Sequence, residues 1–184
     1  MDAGKYHIVA ICGSTRKKST NESILRSIAT MYEGSLDLEL YLNIATLPHF
    51  NPDLDNEQVP SPVEHFRQLI DKADGVIICT PEYVFSLPGA LKNALEWTVS
   101  TTVFMDKPVA MIVAATGGEK AFESLELILE TMGARVTEDS KLLLQGARSK
   151  VGKNGDLPDE STATKMRTAI DSLRATITSS GVTS

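Results

Sequence analysis

Cysteine is nearly absent from this chain: two residues, Cys12 and Cys79, in 184. That excludes a disulfide-stapled scaffold. Both sit in apolar runs, where a small buried core residue in a reducing compartment is the expected role. Aromatics make up 5% of the chain, with one tryptophan, and three histidines supply no His/Cys/Asp cluster with metal-ligand spacing. Positive charge is in deficit, 18 Lys and Arg against 24 Asp and Glu, for a net charge of −6. A non-specific nucleic-acid binder needs a basic face, so that class is set aside. No apolar run approaches the roughly 18 residues of a membrane span. Met1-Asp2-Ala3-Gly4-Lys5 carries no apolar stretch of a secretory signal. Repeats, low-complexity tracts and linkers are missing too. The expectation is one cytoplasmic domain over residues 1–184, with no nucleic-acid or membrane partner.

What is present is alternation. Ile8-Val9-Ala10-Ile11-Cys12 reads as a buried strand, and Ile24, Leu25, Ile28 and Met31 recur at helical spacing. Ser19 and Glu22 have the spacing of a capping box at that helix start. Leu36 to Tyr41 alternates strictly, as a half-exposed edge strand does. A loop from Leu47 to Pro60 leads to Ser61-Pro62-Val63-Glu64, which has the form of a cap, a first-turn proline and a capping-box glutamate. Gly75 to Thr80 and Pro108 to Ala115 are continuous apolar runs, hence strands covered on both faces. Helical patterns follow each, through Leu87, Leu91, Ala94, Leu95 and Thr98, then through Phe122, Leu125, Ile128, Leu129 and Met132, where Gly133 stands as a C′ residue. Val136 and Leu142 to Leu144 are two candidates for the last strand. A polar loop from Gln145 to Pro158 precedes a final helix through Met166, Ile170, Leu173 and Ile177.

Such alternation predicts a three-layer α/β domain, a parallel sheet with helices on both faces. The loops after Cys12, Thr80 and Ala115 would then share the carboxyl edge of the sheet, where such folds bind ligands. The first loop, Gly13 to Asn21, gathers hydroxyls, an amide, a guanidinium and two ammoniums at a helix N-terminus, an anion site by its chemistry. It lacks the Gly-Lys-Ser/Thr ending of a P-loop and the Gly-x-Gly-x-x-Gly of a dinucleotide fold. One terminal phosphate on Ser14, Arg16, Ser19 and Asn21 suits it better. The other reading is a solvated basic turn that only caps the helix.

Three segments resemble the NADPH-dependent FMN reductase family. They are Gly13-Ser14-x-Arg16-x-x-Ser19-x-Asn21, then Pro81-Glu82-Tyr83-x-x-Ser86-x-Pro88-Gly89-x-Leu91-Lys92-Asn93-Ala94-x-Glu96-Trp97, and the late loop Asn154-Gly155-x-Leu157-x-Asp159. The resemblance implies a flavodoxin-like doubly wound five-stranded sheet of order 2-1-3-4-5 with non-covalent FMN. The phosphate would lie on Ser14, Arg16, Ser19, Thr20 and Asn21, and the isoalloxazine along Pro81, Glu82, Tyr83 and Val84. Thr116, Gly117 and Gly118 would close the other side, the glycines by allowing close backbone approach. Val84 stands where many relatives carry Asn, and Thr116 where many carry Ser. Glu82 reads as a backbone-positioning residue, because hydride transfer through a flavin needs no general base.

The activity so implied takes hydride from NADPH or NADH through FMN to a quinone, free flavin or similar small acceptor, in ping-pong order. A flavodoxin-type electron carrier, or a flavin-binding protein without turnover, is the alternative, and Arg16 argues for the enzyme. Arg16, Lys17, Arg148 and Lys150 could each meet a 2′-phosphate. The 87–100 helix resembles the family's subunit contact, which implies a homodimer or homotetramer with Trp97 at the interface.

Overall fold

The computed structural model describes residues 5–56, 58–151 and 159–180. Five strands form one parallel sheet: β1 Tyr6–Cys12, β2 Leu36–Tyr41, β3 Gly75–Thr80, β4 Val109–Ala115 and β5 Lys141–Gln145. Their order is β2-β1-β3-β4-β5, as the resemblance implied. Because every pairing is parallel, all five carboxyl ends lie at one rim.

Side chains along a strand alternate between faces, and the apolar runs divide accordingly. Val9, Ile11, Val76, Ile78, Met111 and Val113 enter a core covered by α2 (Ser61–Lys72), α3 (Gly89–Glu96) and α4 (Glu119–Thr131). Ile8, Ala10, Cys12, Ile77, Cys79 and Ile112 enter the other, under α1 (Thr20–Met31), the short α5 (Ala147–Lys150) and α6 (Glu160–Ser180). The strictly alternating segment is indeed an edge strand, buried at Leu36 and Tyr41 and partly open between them. The last strand is Lys141–Gln145. Val136 stays outside the sheet, just beyond the isolated bridge of Arg135 to Pro108. Gly133, at φ +74°, ends α4 with two back-bonds, Gly133 N–H to Glu130 O and Ala134 N–H to Leu129 O, both 3.0 Å.

Two expectations need correction. Ser61 does not cap α2; it is the first helical residue, and Glu64 closes no capping box. Pro60 holds the cap position, extended at φ −55° and ψ 135°, and its carbonyl accepts the N–H groups of Val63 and Glu64 at 2.8 and 3.1 Å. A ring that locks φ presets this entry without a side-chain cap. Nor is Trp97 an interface residue: it is fully buried. α3 stops at Glu96, and the indole turns inward behind it. Its Nε1–H donates to Pro48 O at 2.7 Å, and Phe50 meets its ring edge-on at 5.1 Å. Asn93 secures the same loop, donating to Pro48 O at 2.9 Å and accepting the Phe50 N–H at 2.7 Å. The motif residues Asn93 and Trp97 therefore hold the 48–50 loop, while Lys92 and Glu96 pair on the surface at 2.7 Å.

Replacing Trp97 by Ala should cost about 3–5 kcal/mol, because a large core side chain and a buried hydrogen bond go together. Urea unfolding followed by far-ultraviolet circular dichroism measures it, and a loss under about 1 kcal/mol would contradict the buried placement.

Candidate functional site

The first loop begins flush against β3. Gly13 donates its N–H to Cys79 O at 2.8 Å, and a Cβ built there would lie 2.4 Å from Thr80 Oγ1. Ser14 follows, buried, with its Oγ accepting the Arg16 N–H at 3.3 Å. Ser19 caps α1 as its spacing predicts, accepting the Glu22 N–H on Oγ at 3.0 Å. The reciprocal half differs: the Glu22 carboxylate reaches Lys18 N–H at 3.1 Å rather than that of Ser19. A helix leaves its first N–H groups without intrahelical acceptors. Those of Glu22 and Ser23 go to Ser19, which leaves those of Thr20 and Asn21 without an acceptor among the described residues.

The Asn21 side chain is committed elsewhere. Its Oδ1 accepts from the Cys79 thiol at 3.3 Å, and its Nδ2 donates to Ala114 O at 3.5 Å. Asn21 thus braces α1 against β3 and β4, and its backbone N–H is the group it keeps for a ligand. The two thiols are inert packing groups: burial pushes both Cys12 and Cys79 up from the ordinary thiol range.

The second loop is a tight reversal. Tyr83 and Ser86 exchange backbone hydrogen bonds at 3.0 and 3.1 Å around Val84 and Phe85, at φ +52° and +53°. Two consecutive positive φ values are those of a type I′ turn, which Asn-Gly usually fills. Here a β-branched and an aromatic residue fill it, with Val84 96% and Phe85 80% exposed. Glu82 has the positioning role expected of it. Its Oε2 accepts the N–H groups of Lys120 and Ala121, both at 3.0 Å, and so caps α4 from the neighbouring loop. Gly118, at φ +111°, has no room for a Cβ, which would sit 2.9 Å from Leu143 Cδ1 and 3.0 Å from Val113 Cγ1. The need for glycine at 118 is thus set by the protein's own packing. That differs from the ligand approach read for it. The loop after β5 joins this group, since Gly146 N–H donates to Thr116 O at 3.2 Å.

Between these loops lies an open cleft. Ser14, Arg16, Ser19, Thr20, Asn21, Pro81, Glu82, Tyr83 and Thr116 line it, all of them expected from the sequence. Val84, Gly117 and Gly118 do not: Val84 projects into solvent, Gly117 is half-buried and Gly118 is buried. Ala114, Ala115, Ala147 and Arg148 also line it. The alanines were invisible as site residues because apolar strand ends carry no chemical signal. Arg148 was visible as a cation, without its place. The late motif Asn154-Gly155-x-Leu157 lies outside the described residues.

The cleft suits an FMN-like ligand at both ends. At one end Arg16, the Ser14 and Ser19 hydroxyls and the N–H groups of Thr20 and Asn21 offer donors to an anion. Half-exposed Tyr83 and the small Ala114 and Ala115 leave flat walls for a ring. An order of 2-1-3-4-5 with its cleft at the β1/β3 switch point defines the flavodoxin-like class of nucleotide-binding folds. Within that class the chain belongs to the NADPH-dependent FMN reductase family, whose sequence profile matches residues 6–148. The NADH:(hydroxy)cinnamate reductase subunit CrdA of Vibrio ruber is 37% identical over 158 residues, covering 83% of this chain and 77% of that protein. A quinone reductase of Escherichia coli is 31% identical over 165 residues, 86% of this chain and 88% of its own. Among solved structures, FerB, a flavoenzyme NAD(P)H:(acceptor) oxidoreductase from Paracoccus denitrificans, superposes with a TM-score of 0.83 at 28% identity, over 95% of this chain and 98% of FerB.

Two substitutions test the loop geometry. Val84→Asn should raise stability by about 1 kcal/mol, since asparagine tolerates the left-handed region that a β-branched residue resists. Glu82→Ala should lower it by about 0.5–2 kcal/mol, the size of a lost helix cap. Urea midpoints read both, and an unchanged midpoint for Glu82→Ala would show that its carboxylate caps nothing in solution.

Proposed function

We propose that this chain is an FMN-dependent NAD(P)H oxidoreductase that reduces a quinone, a free flavin or a similar small acceptor. The observation that carries the reading is the phosphate-adapted loop at the switch point. There Arg16, two buried serine hydroxyls and the start of α1 converge on one cleft. The relatives named quinone reductase and NADH-dependent flavin reductase support the reaction class. FMN, when bound, supplies a two-electron relay between a nicotinamide and an acceptor. The chain's own contribution is to seat and orient it. Ser14, Arg16, Ser19 and the N–H groups of Thr20 and Asn21 hold the phosphate. Pro81, Glu82, Tyr83 and Thr116 border the ring. An open cleft serves NADH or NADPH and then the acceptor in turn, so the kinetics are ping-pong.

The chain works, on this reading, as a single domain in the cytoplasm, which two free, buried cysteines suit. No helix among the described residues is long and apolar enough to cross a membrane. It assembles as a homodimer or homotetramer around the α3 region. Trp97 takes no part in that contact. Val84 and Phe85 before α3, and Val99 and Met105 after it, are four of the large apolar residues left exposed along this stretch of chain, and an interface covers such residues.

Anaerobic addition of NADPH or NADH to the FMN-loaded protein should bleach the yellow absorbance. A flavin that stays oxidised would mark an electron carrier instead. Initial rates should give parallel double-reciprocal lines. Arg16→Ala should weaken FMN binding by about 1.5–3 kcal/mol, the size of a charge-assisted hydrogen bond, read by flavin fluorescence titration.

A further inference from the structure

We propose that Arg148 is the second guanidinium of the phosphate site, so that Arg16 and Arg148 clamp the phosphomonoester of FMN between the β1 and β5 loops. This rests on the flavin reading above and assigns a residue that neither the family motifs nor the spacing of the chain places there.

Charge pairing gives the first argument. The chain is acidic, with net charge −6, and its other arginines are engaged. Arg26 pairs with Glu22, Arg67 with Asp55, Arg167 with Glu160 and Arg174 with Asp171, while Arg135 donates to Ser180 Oγ. Arg16 and Arg148 alone have side chains with no hydrogen bond or ion pair among the described residues, and both line the same cleft. Two like charges facing one cleft repel each other unless an anion lies between them.

Placement gives the second. Gly146, at φ +62°, turns the chain out of β5, and its N–H is tied to Thr116 O. Ala147 and Val151 on either side are buried in the same core as Leu25 and Ile28 of α1. Arg148 therefore projects into the cleft from a short segment anchored on the sheet face that α1 also covers. A phosphomonoester carries a charge of about −1.5 to −2 at neutral pH and three terminal oxygens. One guanidinium engages two oxygens at most, so a second has an oxygen to meet.

The test compares FMN with riboflavin, which lacks the phosphate, in titrations of the flavin-stripped full chain. Arg148→Ala should weaken FMN about tenfold or more, one charge-assisted hydrogen bond, and leave riboflavin within about twofold. Arg148→Lys should recover part of the loss. The Arg16→Ala/Arg148→Ala double variant should depart from the product of the single losses, because both act on one group. Inorganic phosphate should compete with FMN more strongly in the native protein than in Arg148→Ala. Unchanged FMN affinity, with a KM raised for NADPH but not NADH, would assign Arg148 to the dinucleotide and overturn the clamp. Equal losses of FMN and riboflavin would overturn it as well, leaving a purely structural residue. If the native chain itself bound no FMN, the flavin reading would fall and take the clamp with it.

Discussion

The whole site depends on one contact with no slack in it, the approach of Gly13 to Thr80. The last turn of backbone after β1 is pressed against the end of β3 so closely that a methyl group would overlap the threonine side chain. The Gly13 N–H continues the sheet ladder to Cys79 O. This pins the start of the anion loop at the point where the strand order reverses. The neighbouring connections leave toward opposite faces there, and a crevice opens between them. Ser14 and Ser19 are held buried because the loop has so little room to leave the sheet, and α1 begins where its unpaired N–H groups border that crevice.

From that pin the rim is assembled by contacts that cross from loop to loop. Glu82, on the β3 loop, caps α4, which starts on the β4 loop. The β5 loop hangs from the β4 loop through Gly146 and Thr116. Asn21 ties α1 to both central strands through its buried amide. Each bond joins segments far apart in sequence, so the geometry of the cleft depends on the sheet having formed. Side chains that look ligand-directed in a motif, Glu82 and Asn21 above all, turn out to be the braces. The groups left for a ligand are hydroxyls, backbone N–H groups and two guanidiniums.

This division explains what could be read from the chain. Strands with six or seven apolar residues declare themselves, because a parallel sheet covered on both faces needs no polar side. The Ser19 cap, the Gly133 stop and the three rim loops were equally plain. Trp97 was not: a lone tryptophan on a short helix carries the same signature whether it faces a partner or its own loop. What decided it was the Pro48 carbonyl, 49 residues away, which accepts the indole N–H. The cap of α2 was hidden by a similar ambiguity, since Ser-Pro after a proline fits two registers, and only the Pro60 carbonyl separates them. Ala114, Ala115 and Ala147 reach the cleft through topology alone.

The charge distribution completes the physical picture. A net charge of −6 repels a phosphorylated ligand at long range, but at physiological salt that repulsion fades within roughly 8 Å of each exposed charge. What the ligand meets inside the cleft is the local field. There Arg16 and Arg148, without partners among the described residues, line the cleft beside the positive end of α1, and two nearby carboxylates are hydrogen-bonded into the fold. Glu22 serves Lys18 and Arg26, and Glu82 serves α4. The ion pair and hydrogen bonds of these carboxylates offset part of the negative charge at the rim, so the local field of the cleft differs from that of the acidic chain as a whole.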